Sequence, residues 1–141
     1  MRYFFDTSVL VPAYVDSHIH HEASRRVYLK AQKNRDCCAA HTLADVYSTL
    51  TRLPGDLRTS GDQAMRFLED MAERLTFIAL GAEEYWATIA ESAESGVVGG
   101  LIYDALLARC AVKAKAETIY TWNLAHFQQL GHDVAKRIRT P

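Results

Sequence analysis

The sequence predicts an α/β fold in which a central parallel sheet of four to five short strands is covered by helices on both faces. Short apolar segments of strand length alternate with longer segments of helical periodicity, which is typical of parallel sheets. The length of 141 residues corresponds to about one domain. A composition with 49% hydrophobic and 23% charged residues is that of a globular protein. We therefore expect a single domain spanning residues 1–141.

The first half of the chain is predicted to contain two strands and three helices. The apolar run before Asp6 suits a buried strand, and Ser17 is expected to cap the first helix. Pro54 and Gly55 end the second helix, and Ser60 with Gln63 forms a capping-box pair that begins the third. In chain order, these elements are a strand at 2–5, a helix at about 18–34, a strand at 36–40, a helix at 42–52 and a helix from Ser60 to about residue 75.

The second half continues the alternation. Gly96 ends one helix, and a pair of glycines precedes the next, strongly apolar one. Within the helix that Gly96 ends, we expect Tyr85, Trp86 and Ile89 to face the core. The predicted elements are a strand at 76–80, helices at 82–95 and 101–115, a strand at 118–122, a short helix at 124–130 and a strand at 134–138.

Charge and composition exclude several classes of protein. A net charge of −1 argues against a protein held on nucleic acid by bulk charge alone. No segment approaches the roughly 18 apolar residues that span a bilayer, and the first apolar run is too short for a signal peptide. Three cysteines form no disulfide framework. We expect a cytoplasmic protein with reduced thiols and no membrane contact.

Carboxylate and amide side chains follow several of the predicted strands. Asp6 ends the first strand, and Asn123 with Thr121 lies at the end of the strand at 118–122. Asp45 is on the first turn of the helix after the second strand, and Asp104 is near the start of an apolar helix. Ligands of open α/β sheets bind beyond the carboxyl ends of the strands. The sequence therefore predicts that these side chains meet at one edge of the sheet.

The local sequence gives these acids no cationic partner. No Lys or Arg lies within three residues of Asp6, Asp45 or Asp104. Asp6 alone could cap a helix and Asp45 could complement a helix dipole, but Asp104 lies within an apolar run and is harder to explain structurally. Converging carboxylates repel one another, and Mg²⁺ or Mn²⁺ prefers such hard oxygen ligands. We therefore expect a divalent metal site.

Four segments resemble, in order and spacing, the motifs of the PIN domain family. Together they cover nearly the whole chain, and the size and layout are similar to those of VapC-type toxins of toxin–antitoxin pairs. The segments are Phe4–Leu10, Thr42–Arg52, Tyr103–Ala108 and Thr121–Phe127.

The resemblance implies a metal-dependent endoribonuclease that hydrolyses RNA phosphodiester bonds. Carried over to this chain, it implies that Asp6, Asp45 and Asp104 hold Mg²⁺ or Mn²⁺ and that Asn123 completes the catalytic set. Two positions depart from the family pattern: Asp45 stands where Glu is usual, and Asn123 stands where Asp is common. The resemblance also implies a homodimer and a cognate antitoxin protein as partner.

Other residues are secondary candidates. Thr7, Thr121 and His126 could assist at the site, although a surface or packing role is the more ordinary interpretation of His126. Cationic residues between positions 25 and 35 usually form a solvated helix face, but they also offer the best contacts to an RNA backbone. The RNA-backbone candidates are Arg25, Arg26 and Lys30.

Two other interpretations remain open. The first is a catalytically silent PIN-like domain that binds RNA or protein, which the departures at Asp45 and Asn123 favour. The second is an unrelated phospho-acceptor receiver domain. That class needs an acidic pair after the first strand and a Lys near the last strand, whereas here Asp6 is a single acid and Lys113 and Lys115 precede the strand at 118–122.

Overall fold

A five-stranded parallel sheet forms the centre of the molecule in the computed structural model, which describes all 141 residues. The strand order is β3-β2-β1-β4-β5, so the first strand of the chain is the central one. All four neighbouring pairs are parallel, which confirms the predicted fold class. The strands are β1 (Tyr3–Phe5), β2 (Asp36–Ala39), β3 (Thr76–Ile78), β4 (Thr118–Tyr120) and β5 (Ile138–Arg139).

Eight α-helices and one short 3₁₀ turn connect and cover the strands. None of these helices is long and apolar enough to cross a membrane. Their bounds are α1 (Thr7–Tyr14), α2 (His21–Leu29), α3 (Ala40–Thr51), the 3₁₀ turn (Gly55–Leu57), α4 (Gly61–Arg74), α5 (Ala82–Glu94), α6 (Leu101–Lys113), α7 (Leu124–Gln128) and α8 (His132–Ala135).

Alternating side chains of the central strands point into two separate cores. Phe5 and Cys38 pack with α1 to α4 on one face of the sheet. Phe4 and Cys37 pack with α6, α7 and α8 on the other face. This period of two is the normal consequence of the strand pleat. Helices therefore cover both faces, as the sequence predicts.

A buried ion pair fixes the start of the sheet. The Asp36 carboxylate is fully buried and accepts hydrogen bonds from the Arg2 guanidinium and from the backbone N–H groups of Tyr3 and Gln32. Asp36 lies at the beginning of β2 and Tyr3 at the beginning of β1, and the two are partners in the sheet register. The pair therefore orients β1 at the edge of the sheet opposite the one where Asp6 lies.

Several predicted element bounds are wrong. No helix is predicted from the sequence at residues 7–14, where α1 lies. The helix expected at 18–34 covers only 21–29 and begins after His20 rather than Ser17. The strand expected at 134–138 is replaced by α8 and a two-residue strand. Asp6 occupies the N-cap position of α1, but its side chain makes no capping hydrogen bond.

The face of α5 was also assigned wrongly. Trp86 is 80% exposed and Ile89 is 49% exposed, so this apolar stripe does not face the core. Thr88 and Ser92 are the buried residues of α5, which packs mainly against α6.

Candidate active site

Asp6 is the most buried carboxylate of the predicted site. It follows β1 directly, and only 2% of its surface is exposed. Its Oδ2 atom accepts two side-chain hydrogen bonds, from Ser8 Oγ at 2.6 Å and from Thr121 Oγ1 at 2.9 Å. Neither hydroxyl contacts Oδ1. One carboxylate oxygen is therefore held by the protein, and the other remains free of side-chain donors.

The two hydroxyl groups connect Asp6 to the segment after β4. The backbone N–H of Trp122 donates to Ser8 Oγ and that of Asn123 donates to Thr121 Oγ1, each at 2.9 Å. Each hydroxyl has one proton and uses it on Asp6, so the 3.3 Å contact between the two hydroxyl oxygens is not a further hydrogen bond. These parallel relays fix the ends of two adjacent strands against each other.

Burial and hydrogen bonding act on Asp6 in opposite directions. Burial raises the pKa of this carboxyl group, while the hydrogen bonds from Ser8 and Thr121 oppose that rise. Burial is the larger effect, so the pKa lies above its ordinary value.

Asp45 and Asp104 line the same cleft as Asp6. Asp45 lies on α3, Asp104 lies on the first turn of α6, and Asn123 is the N-cap residue of α7. All four side chains border one open cleft of about 530 Å³, and no Lys or Arg is among its lining residues. The structure thus brings together the four positions that the sequence analysis placed at one edge of the sheet.

Two histidines lie beside these carboxylates. His41 Nε2 is 3.4 Å from Asp45 Oδ1, and His126 Nδ1 is 3.4 Å from Asp104 Oδ2. Burial raises the pKa of Asp104, the charges of Asp6 and Asp45 add to the rise, and His126 opposes it. Asp104, on α6, therefore has an imidazole neighbour that comes from a different helix, α7. His126 is exposed, does not line the cleft, and contacts the site only through Asp104.

The donor set suits a hard divalent cation, although the carboxylates do not form a closed cluster. No group of three or more His, Cys, Asp or Glu side chains is close enough together to hold one ion. The charges of Asp6 and Asp45 both raise the pKa of Asp104, so the three carboxylates interact electrostatically across the cleft. Thr7 Oγ1, also at the cleft, is buried without a hydrogen-bond partner. An orphaned hydroxyl beside three carboxylates fits a site that binds a further polar group.

Two features of this cleft were not predicted from the sequence. The first is that Ser8, like Thr121, donates a hydrogen bond to Asp6. Its position two residues after an Asp that ends a strand could have indicated this contact. The second feature is a ring stack in which His20 lies parallel to Trp122, at 3.7 Å between centroids and 9° between planes. Both rings line the cleft. No local pattern joins these two positions.

The cationic candidates lie outside the cleft. Arg25 and Arg26 are exposed on α2, and Lys30 is its exposed C-cap residue. None of the three forms an ion pair or lines the cleft. The buried face of the same helix carries Ser24, which accepts a hydrogen bond from Trp122. The charged face therefore belongs to a helix that contacts the cleft through its opposite side.

Comparison with known proteins gives consistent results. Ribonuclease VapC27 of Mycobacterium tuberculosis is 36% identical over 112 residues, which cover 79% of this chain and 78% of the relative. The crystal structure of VapC20 from the same species, described as a Sarcin-Ricin loop cleaving toxin, matches with a TM-score of 0.71 at 13% identity, covering 88% of this chain and 92% of the other. VapBC2 from Rickettsia felis, bound to a DNA fragment from their promoter, matches with a TM-score of 0.68 at 19% identity, covering 100% and 99%.

The profile of one family matches most of the chain, including all four motif segments. The PIN domain profile matches residues 3–131, which include Asp6, Asp45, Asp104 and Asn123. The chain therefore belongs to the PIN domain family.

Proposed function

We propose that this protein is an endoribonuclease that hydrolyses RNA phosphodiester bonds with Mg²⁺ or Mn²⁺. The observation that carries the proposal is the cleft that Asp6, Asp45, Asp104 and Asn123 line together without a cationic side chain. The identity of 36% to a protein named Ribonuclease VapC27 supports the same activity. Phosphodiester hydrolysis needs a nucleophilic water, a neutralised phosphate and a stabilised leaving oxygen, and divalent ions supply all three.

The residues of the cleft have separate roles in this proposal. Asp6 and Asp104 are the main metal ligands, and Asp45 is a further ligand or orients the attacking water. Asn123 and Thr7 offer neutral oxygens, while Thr121 holds Asp6 and the backbone of Asn123. An ion held by all three carboxylates would need them closer together than they lie in this structure.

The partner in this proposal is a cognate antitoxin, and the protein is the toxin of the pair. The matched VapBC2 structure supports a second protein of this kind. The net negative charge of the cleft favours an antitoxin segment that places Arg or Lys there. We further propose that the chain acts as a single nuclease domain over residues 1–141, as a homodimer and in the cytoplasm.

A catalytically silent PIN-like domain that binds RNA or protein is the alternative. The shorter Asp45 and the neutral Asn123 are its support. The names of the curated relatives do not favour it, because they are ribonucleases.

Titration with Mn²⁺ tests the proposed function. At an ion concentration 100 times the dissociation constant, binding stabilises the native state by about 2.7 kcal/mol, and we expect a corresponding rise in Tm. Cleavage of a labelled RNA should require the ion. Asp104→Asn should reduce both responses, while Asp133→Asn, on helix α8 and outside the cleft, should leave both unchanged. A wild-type protein that neither binds Mn²⁺ nor cleaves RNA would support the silent alternative.

A further inference from the structure

The cleft has an aromatic wall beside its carboxylates. The indole of Trp122 and the imidazole of His20 lie parallel at 3.7 Å, a separation and orientation that a nucleobase adopts on an aromatic side chain. Both residues line the cleft that contains Asp6 and Asp104. The wall therefore stands next to the place where the scissile phosphate would bind.

The two rings of the stack are held very differently. Trp122 is fixed twice, because its indole Nε1–H donates to the buried Ser24 Oγ and its backbone N–H donates to Ser8 Oγ. Trp122 also packs against the core on the α1 to α4 face of the sheet. The His20 ring makes no hydrogen bond, whereas the neighbouring rings of His18 and His21 each make one through Nδ1. The imidazole of His20 is thus held in place mainly by stacking.

The negative charge of the cleft makes base stacking an important contribution to RNA binding there. No Lys or Arg lines it, and three carboxylates do, so an RNA strand finds no fixed cationic side chain there. Sequence-tolerant proteins that bind single strands combine backbone contacts with bases stacked on aromatic side chains. In this protein the exposed cations of α2 lie outside the cleft, which leaves the bases as the groups that the cleft itself can hold.

We propose that the face of Trp122 now covered by His20 is a nucleobase subsite for single-stranded RNA, and that the His20 ring occupies it in the free protein. The proposal rests on the proposed function only in naming RNA as the ligand. On binding, a base replaces the imidazole on the fixed indole. His20 can yield because its ring makes no hydrogen bond and its other ring neighbour, His18, lies 5.6 Å away at an interplanar angle of 36°. His20 also lies in the segment that connects α1 and α2.

Two substitutions at position 20 test whether a base displaces the His20 ring or stacks on it. His20→Ala uncovers the indole, while His20→Phe keeps a ring over it, and both remove the imidazole. Binding of a short oligoadenylate is measured in chelator, so that no cleavage is needed, and an abasic oligomer of the same length serves as the control ligand. All variants also carry Trp86→Phe, so that Trp122 is the only source of tryptophan fluorescence. Trp86 is 80% exposed on α5 and lies outside the cleft.

The expected result is that His20→Ala binds oligoadenylate about tenfold more tightly than His20→Phe, within the range that one base stack contributes. Binding should quench the fluorescence of Trp122, and the abasic oligomer should bind both variants equally. Trp122→Leu, which keeps an apolar side chain, should lose the preference for the base-containing ligand. His132→Ala, on α8, should match the parent protein.

Two results would overturn the subsite. Tighter binding by His20→Phe than by His20→Ala would make residue 20 the platform instead of Trp122. Equal binding of the oligoadenylate and the abasic oligomer by every variant would mean that no base is held in the cleft. Neither outcome depends on cleavage, so loss of the nuclease proposal and loss of the subsite are distinguishable.

Discussion

Thr121 Oγ1 donates a hydrogen bond to Asp6 Oδ2 at 2.9 Å across 115 residues of chain, and the bond is buried. The same hydroxyl accepts the backbone N–H of Asn123. One oxygen therefore sets both the rotamer of the most buried carboxylate of the cleft, Asp6, and the backbone of the residue at the fourth motif position, Asn123. Ser8 does the same for Asp6 and Trp122.

Thr121→Val should destabilise the protein by about 1–3 kcal/mol, because the N–H of Asn123 and one lone pair of Asp6 lose their partner in a buried site. Thr121→Ser should recover most of the loss. The measurement is urea denaturation in chelator. Thr42→Val is the matched control: its hydroxyl is buried without a hydrogen bond, so the same substitution should be neutral or stabilising there. Equal losses at both positions would mean that the relay adds nothing beyond packing.

Asp104→Asn should leave the metal-free protein as stable as the parent or more stable, while abolishing cleavage. The folded-state pKa of Asp104 is raised by burial and by the charge of Asp6. The Asp104 carboxyl group therefore binds its proton more tightly in the native state than in the unfolded state. As pH rises from the pKa of the unfolded state through the raised pKa of the native state, this group lowers the free energy of unfolding. The gain from Asp104→Asn should be larger at about pH 7 than at about pH 4.

Denaturation in chelator at both pH values measures the effect of Asp104→Asn. His126→Gln is the companion variant, since His126 opposes the rise in the pKa of Asp104. A loss of about 3–5 kcal/mol on Asp104→Asn, typical of breaking a buried ion pair, would make Asp104 a structural residue.

Asn123→Asp should tighten Mn²⁺ binding by about tenfold, equivalent to about 1.4 kcal/mol, because it adds a fourth carboxylate to the cleft. The added charge should also lower the stability of the metal-free protein. Isothermal titration and cleavage over a metal series measure both effects. If Asn123→Asp binds no better and Asn123→Ala cleaves normally, Asn123 lies outside the metal site, and His126 becomes the next position to test.

Charge reversal of Arg25, Arg26 and Lys30 to Glu should weaken RNA binding and reduce its salt dependence, by a slope of up to about 0.7 for each phosphate that the protein no longer neutralises. Cleavage at saturating substrate should change much less. Affinity measured over a salt series tests this. The control reverses Arg35, Arg66 and Lys115, which are exposed and do not line the cleft. Equal effects of the two variants would mean that only overall charge matters.

The sequence predicted the sheet and the acidic site because both follow simple local rules. Asp6 and Asn123 can be identified because each follows the end of an apolar strand segment. The carboxyl ends of parallel strands lie at the same edge of the sheet, so these two residues are expected there. Helix α1 was missed because its sequence is almost wholly apolar and contains Pro12, so it has no amphipathic period.

The remaining errors need tertiary information. The pattern at Trp86 and Ile89 marks one side of α5, but only the packing of α5 on α6 decides that the opposite side is buried. The imidazole neighbour of Asp104 comes from α7, and the cover of Trp122 comes from the segment before α2. Such contacts between distant segments leave no periodic signal in either one.

The central position of β1 has a consequence for synthesis of the protein. β1 is complete by Phe5, but one of its two neighbours, β4, begins only at Thr118. A nascent chain therefore carries Asp6 and Ser8 long before the ribosome has added Thr121, the second hydroxyl that binds Asp6, and pairing over such a separation is slow to form. The cleft can be assembled only when most of the chain has been translated. A product truncated before Thr118 would lack both β4 and Thr121, so an interrupted chain would be released without a complete cleft.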